Sequence, residues 1–276
     1  MEIITAVLSG LLLLISPVGV VVDQVAEDAI RSRLLSVESL DVRVDNGPSF
    51  QLLQGRVDRV RIAGRGIVPV PGLRVEVAEL ETDPIDLAFT ALRRGEVVLD
   101  EPLQGALHLV LTEADVNAFL RSPMVAQQLS GLKIGSLNRA QSRERARYQI
   151  NNPAIDFLEN NRLRISVDLK DLVENVTLQV EAEAGLSISE GDSPAERPDQ
   201  RLTLVGPILT VDGQPTPNPI VKRLLGNIND RLSLQQLENR GLTARVINLA
   251  VQPEGLDLAL WVRVDPRVTA SVASGR

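Results

Sequence analysis

The longest regular pattern in the chain is a period-two alternation from Val176 to Ile188. Val176, Leu178, Val180, Ala182, Ala184, Leu186 and Ile188 take one side, and Thr177, Gln179, Glu181, Glu183 and Ser187 take the other. Successive side chains of a strand point to opposite faces, so this run is a strand with one apolar and one wet face. It is well beyond the ~5–6 residues of an ordinary strand. A strand of this kind belongs in an antiparallel sheet that is covered on one side.

The same rhythm recurs. Leu40, Val42 and Val44 alternate with Asp41, Arg43 and Asp45; Leu73, Val75 and Val77 alternate with Arg74 and Glu76. Leu107, Leu109 and Leu111 alternate with His108 and Val110, and Leu163, Ile165, Val167 and Leu169 alternate with charged or polar residues. Ile85, Leu87 and Phe89 read as a further strand, as do Gly55 to Ala63, Leu202 to Ile208, Leu242 to Val251 and Leu256 to Val264. Gly64 to Gly72 reads as a tight connection, Asn151-Asn152-Pro153 as a turn, and Ser189 to Gln200 as a polar loop.

Two amphipathic helices interrupt the strands. Thr112 offers an N-cap hydroxyl, Asp115 stands at the capping-box position, and Val116, Phe119 and Leu120 fall on one helical face. Ser122-Pro123 breaks that helix and starts another, whose apolar side is Val125, Leu129 and Leu132, with Gly131 at its end. Asn218-Pro219 repeats the device ahead of a stripe formed by Val221, Leu224, Leu225, Ile228 and Leu232. The predicted class is α+β: an antiparallel sheet covering amphipathic helices.

Ile3 to Val22 holds twenty positions without a charge. A membrane-spanning helix needs about 20 apolar residues. A signal peptide would carry a basic n-region and a small-residue cleavage site, whereas Glu2 is the only charge ahead of this run. The expectation is an uncleaved anchor over residues 1–22, with a cleaved signal or a buried core helix as alternatives. The helix should continue to about Leu35. One domain then spans residues 23–270, followed by a tail at 271–276. Arg31 and Arg33 favour a cytoplasmic side under the positive-inside rule.

Composition removes several chemistries. A net charge of −7 argues against a nucleic-acid partner, which needs clustered Lys and Arg. There is no cysteine and one histidine, which removes thiolate and multi-histidine metal sites and leaves one candidate for any Ser-His pair. No phosphate-binding loop, dinucleotide fingerprint, nucleophile elbow or zinc-protease helix is present. His108 reads as an ordinary strand histidine. We therefore expect no enzyme, no metal and no cofactor. Arg139, Arg143, Arg145 and Arg147 form a basic run. It is either a solvated strand edge or a contact for anionic lipid headgroups, where each basic residue contributes about 1 kcal/mol.

Three stretches carry a resemblance: VDNGPSFQLLQGRVDRVRIAGRGI (Val44 to Ile67), LETDPIDLAFTALRRGEVVLDEPLQG (Leu80 to Gly105) and LTEADVNAFLRSP (Leu111 to Pro123). They resemble the LmeA-type phospholipid-binding proteins of bacterial envelopes, and the segment SPVGVVVDQVAEDAIRS is similar to cyanobacterial members. The likeness covers Val20 to Pro123 and continues beyond it by pattern. It implies a fold like that of tubular lipid-binding (TULIP) proteins, with a long curved antiparallel sheet rolled around helices to leave an aliphatic groove. It also implies an extracytoplasmic, periplasmic face.

Together these readings give a membrane-tethered, non-enzymatic protein that binds or transfers phospholipid or a similar amphiphile. Val116, Phe119, Leu120, Val221, Leu224, Leu225 and Ile228 are candidates for the groove or for the core beneath it. The alternative is an anchored structural or adaptor protein with a solidly packed core, or an accessory factor to a lipid- or glycan-processing enzyme.

Overall fold

The computed structural model describes residues 27–28, 30–47, 54–92, 98–130, 148–190, 200–216, 238 and 241–266. Ile3 to Val22, the stripe Val221 to Leu232, and Arg139, Arg143, Arg145 and Arg147 lie outside them. Among the described residues no helix is long and apolar enough to cross a membrane.

The chain is mostly antiparallel sheet with few helices, as the alternation predicts. It begins with β1 (Ser39–Asp45), β2 (Arg56–Val57), β3 (Arg59–Val70), β4 (Leu73–Thr82), β5 (Ile85–Asp86), the short helix α1 (Phe89–Leu92) and β6 (Leu103–Leu111). Two helices follow, α2 (Glu113–Leu120) and α3 (Pro123–Ser130). Then come β7 (Tyr148–Leu158), β8 (Arg162–Asp171), β9 (Thr177–Glu190), β10 (Gln200–Val211), β11 (Gln214–Pro215), β12 (Leu242–Gln252) and β13 (Gly255–Val264). The single long sheet that the resemblance implies is split in two. One sheet runs β1-β3-β4-β6-β13-β12 and the other β11-β10-β9-β8-β7, with β2 and β5 as a separate pair.

The split lies at the free edge of β12. A bulge between Val246 and Asn248 interrupts that strand. Two outward N–H groups of β12 are taken by side chains of the second sheet in place of a ladder. The Val246 N–H donates to Gln200 Oε1 at 2.8 Å, and the Val251 N–H donates to Asn161 Oδ1 at 2.8 Å. An unpaired edge invites association with another chain, so this stitching also protects it.

Four readings of the sequence need correction. Gly64 to Gly72 is not a connection: β3 runs through it to Val70. Its glycines mark a bulge, since the register slips between Ile67 and Val70 and Gly66 adopts φ +57° against the side chain of Glu38. Asn151-Asn152-Pro153 is not a turn but another bulge, inside β7. A proline is tolerated there because β7 is an edge strand. The strand expected over Ile85, Leu87 and Phe89 closes after Asp86: Leu87 makes an isolated bridge to Leu99, and Phe89 opens α1. The helix expected to reach Leu35 turns at Ser32 and Arg33.

One core lies against the six-stranded sheet. Ile62, Leu80, Leu107 and Leu260 enter it from the strands, Phe119 and Val125 from the helices, and Ile30 and Leu34 from the segment before β1. Ile67, Val75 and Val125 have essentially no exposed surface. The second sheet reaches this core through Ile188 and Leu202, which pack against it while remaining partly exposed.

Candidate functional site

The two sheets treat their apolar faces differently. That of the six-stranded sheet is closed by helices and by the chain before β1. That of the five-stranded sheet is covered, among the described residues, at one end only. Cross-strand register arranges its side chains into rows: Phe157–Leu163–Ala184, then Ile155–Ile165–Ala182–Leu209, then Val167–Val180–Val211, then Ile150–Leu169–Leu178. The first row is buried, at 5%, 9% and 4% exposure. Beyond it Ile165 is 40% exposed, and every other member of the remaining rows is partly exposed.

The three open rows are wholly aliphatic. Alternate residues of a strand are about 6.8 Å apart, so the three open rows span about 14 Å. Half the hydrocarbon core of a bilayer is about 15 Å thick. The ladder therefore matches an acyl chain in length and offers it no polar side chain. The opposite face of the same strands is wet. Arg162 and Arg164 hold Glu183 at 3.0 and 3.1 Å, and the Arg164 bond first, then that of Arg162, keep its carboxyl below the ordinary range.

Helix α2 fixes this sheet to the other. The Thr112 hydroxyl accepts from the Asp115 N–H at 3.1 Å, the N-cap that the sequence indicates. Asp115 then receives Arg74 of β4 at 2.9 Å, and Arg74 also reaches Glu38 at 2.8 Å and Glu76 at 2.6 Å. From the same helix, Glu113 accepts the Phe157 N–H at 2.8 Å and Asn117 pairs with the backbone of Ile155. At the start of α3 the Val125 N–H lies 3.4 Å from the Ser122 hydroxyl, as the cap-plus-proline pattern predicts.

Of the residues singled out by sequence, Phe119 is in the core, Leu120 packs against that core, and Val116 is partly exposed on α2. Val221, Leu224, Leu225 and Ile228, with the four arginines, fall outside the described residues. The ladder of β7 to β10 is absent from that selection, although its signal was the longest alternation in the chain. A strand's apolar face reads equally as core, and only the exposure of its rows separates the two.

The outer face of the six-stranded sheet is polar. His108 lies between two carboxylates, with Nδ1 3.1 Å from Glu79 and Nε2 3.2 Å from Asp257. The bond to Glu79, then that to Asp257, raises its pKa against the effect of burial. Beside it is a shallow depression of about 530 Å3 whose lining includes Ala63, Ala106 and Ala259 with Arg43, Arg61 and Glu81. Arg61 is already held by Asp45 and Glu81, so the charges there satisfy one another. Among the described residues no group of three or more His, Asp or Glu side chains is placed to hold a metal ion.

The model of one protein family, described as LmeA-like phospholipid-binding, matches residues 15–260. No curated protein and no solved structure gives a significant match.

Proposed function

Since the chain belongs to the LmeA-like phospholipid-binding family, we propose that it is a non-enzymatic phospholipid carrier whose acyl chains lie along the aliphatic ladder of β7 to β10. The observation that carries this reading is the partial exposure of Ile165, Val167, Val180 and Leu169 in rows with no polar member. Soluble proteins cover such faces unless something else does. Each acyl methylene moved onto it from water contributes about 0.8 kcal/mol, so affinity arises without a polar recognition code. The run Ile3 to Val22 tethers the domain to a membrane, and the domain works at the extracytoplasmic face of the envelope.

Native mass spectrometry of the purified full chain, with extraction and identification of bound lipid, tests the proposal. The expected result is phospholipid in stoichiometric amount. A chain that is folded, carries no lipid and takes none from vesicles would remove it. That outcome would favour an anchored adaptor protein, a reading supported by the close filling of the core by Phe119 and Val125.

A further inference from the structure

The turn between β8 and β9 exposes three aliphatic side chains, with Glu174 and Asn175 between them. Leu172 is 52% exposed, Val173 74% and Val176 48%. The turn is also firmly built. Asp171 is 5% exposed, and its Oδ1 accepts from the Val173 N–H at 2.8 Å and the Glu174 N–H at 3.2 Å. Its own N–H donates to Val176 O at 2.8 Å. A buried carboxylate thus shapes a loop that holds Leu172, Val173 and Val176 exposed.

The position of this tip is informative. Leu169 and Leu178, the last and open row of the ladder, lie two residues before Asp171 and two residues after Val176. The buried row Phe157–Leu163–Ala184 is at the opposite end. The exposed tip and the open end of the aliphatic face are therefore continuous. Lys170 stands on the wet side at the base of the hairpin, where its ammonium would meet headgroup phosphates.

We propose that the β8–β9 hairpin is the part of the domain that enters a bilayer, with Leu172, Val173 and Val176 below the headgroups, so that lipid passes directly between the membrane and the ladder. The choice of a bilayer as partner rests on the lipid-carrying reading of that ladder. Apolar side chains at an interface enter about 5–10 Å, and three exposed aliphatic residues on a rigid turn suit that depth.

The chain has no cysteine, so one introduced thiol reports from one place. Full-length Val173→Cys, labelled with an environment-sensitive nitrobenzoxadiazole dye, is reconstituted in vesicles of phosphatidylcholine and phosphatidylglycerol. Glu159→Cys, at the exposed turn on the opposite end of the sheet, is the aqueous reference. Expected are a blue shift and quenching by doxyl-labelled lipid at position 173, and neither at 159. Equal, unquenched spectra would overturn the proposal, as would quenching by an added protein partner but not by lipid. Leu172→Asp with Val173→Asp should slow lipid exchange between donor and acceptor vesicles by about tenfold or more while leaving co-purifying lipid unchanged. An unaltered exchange rate would also overturn it. Quenching at 173 in a chain that carries no lipid would instead retain the membrane contact and remove the ladder's role.

Discussion

Asn117 of α2 and Ile155 of β7 pair as two strands would. The Asn117 amide donates to Ile155 O at 2.7 Å and accepts the Ile155 N–H at 2.8 Å. A side-chain amide thereby occupies the free edge of β7, and Glu113 one helical turn earlier takes the next outward N–H, that of Phe157. The helix is spaced to meet alternate residues of the strand, and the edge is closed without a further strand.

Replacing Asn117 by Ala leaves both backbone groups of Ile155 partly buried and unpaired. The expected loss is about 1–3 kcal/mol, measured by urea denaturation. Asn117→Asp should not restore it near neutral pH, because the carboxylate can accept from the Ile155 N–H but cannot donate to Ile155 O. A midpoint equal to that of the parent chain would show that the edge is not held by this pair.

Arg74 joins three carboxylates from three segments. Its bonds to Glu38 and then Glu76 raise its pKa far above an already high value, so it stays charged throughout. Arg74→Met should cost roughly 1–2 kcal/mol, a figure reduced for the solvent that reaches Glu38 and Glu76. Arg74→Lys should recover only part, because a point charge cannot fork between Glu38 and Asp115. Equal thermal midpoints for the lysine variant and the parent would contradict this.

His108 should make stability depend on pH. Its folded pKa is raised, so its contribution is fully present below the unfolded value of about 6.5 and is lost as pH rises through the folded value. The parent should therefore lose stability from about pH 6 upward in a step that His108→Gln lacks. Urea midpoints across that range in both chains provide the check, and parallel profiles would exclude the step. Half-exposed partners and salt screening keep the effect small.

Much of the fold is legible because its strands have one face in and one face out. The alternation at Leu40 to Asp45, Leu73 to Val77 and Leu163 to Leu169 specifies both strand and face. The N-cap at Thr112 is equally local. What misleads is glycine, asparagine and proline inside strands. Gly66 and Asn152-Pro153 have turn chemistry, yet tertiary pairing uses them as bulges, and only the partner strand decides between the two. Ile85 to Phe89 alternates correctly, and Ile85 and Leu87 are buried, but the chain turns into α1 at Phe89. For the site, Phe119 is core, the stripe Val221 to Ile228 lies outside the described residues, and the partly exposed aliphatic rows among the described residues belong to the strands.

That distinction gives the last prediction. Phe119→Ala removes a side chain that is 5% exposed, and should cost about 3–5 kcal/mol as a cavity opens in the core. Val180→Asp acts on a partly exposed position in the middle of the ladder. There a carboxylate keeps contact with water in the empty protein, so the fold should lose little. With an acyl chain laid across it, the same carboxylate must be desolvated without a partner, which is costly. Lipid recovered from Val180→Asp should therefore fall several-fold while its denaturation midpoint stays within about 1 kcal/mol of the parent. Thr177→Asp, on the wet face of the same strand, should change neither quantity. Undiminished lipid in Val180→Asp would place the acyl chains elsewhere, and a collapse of its stability would show the ladder to be core.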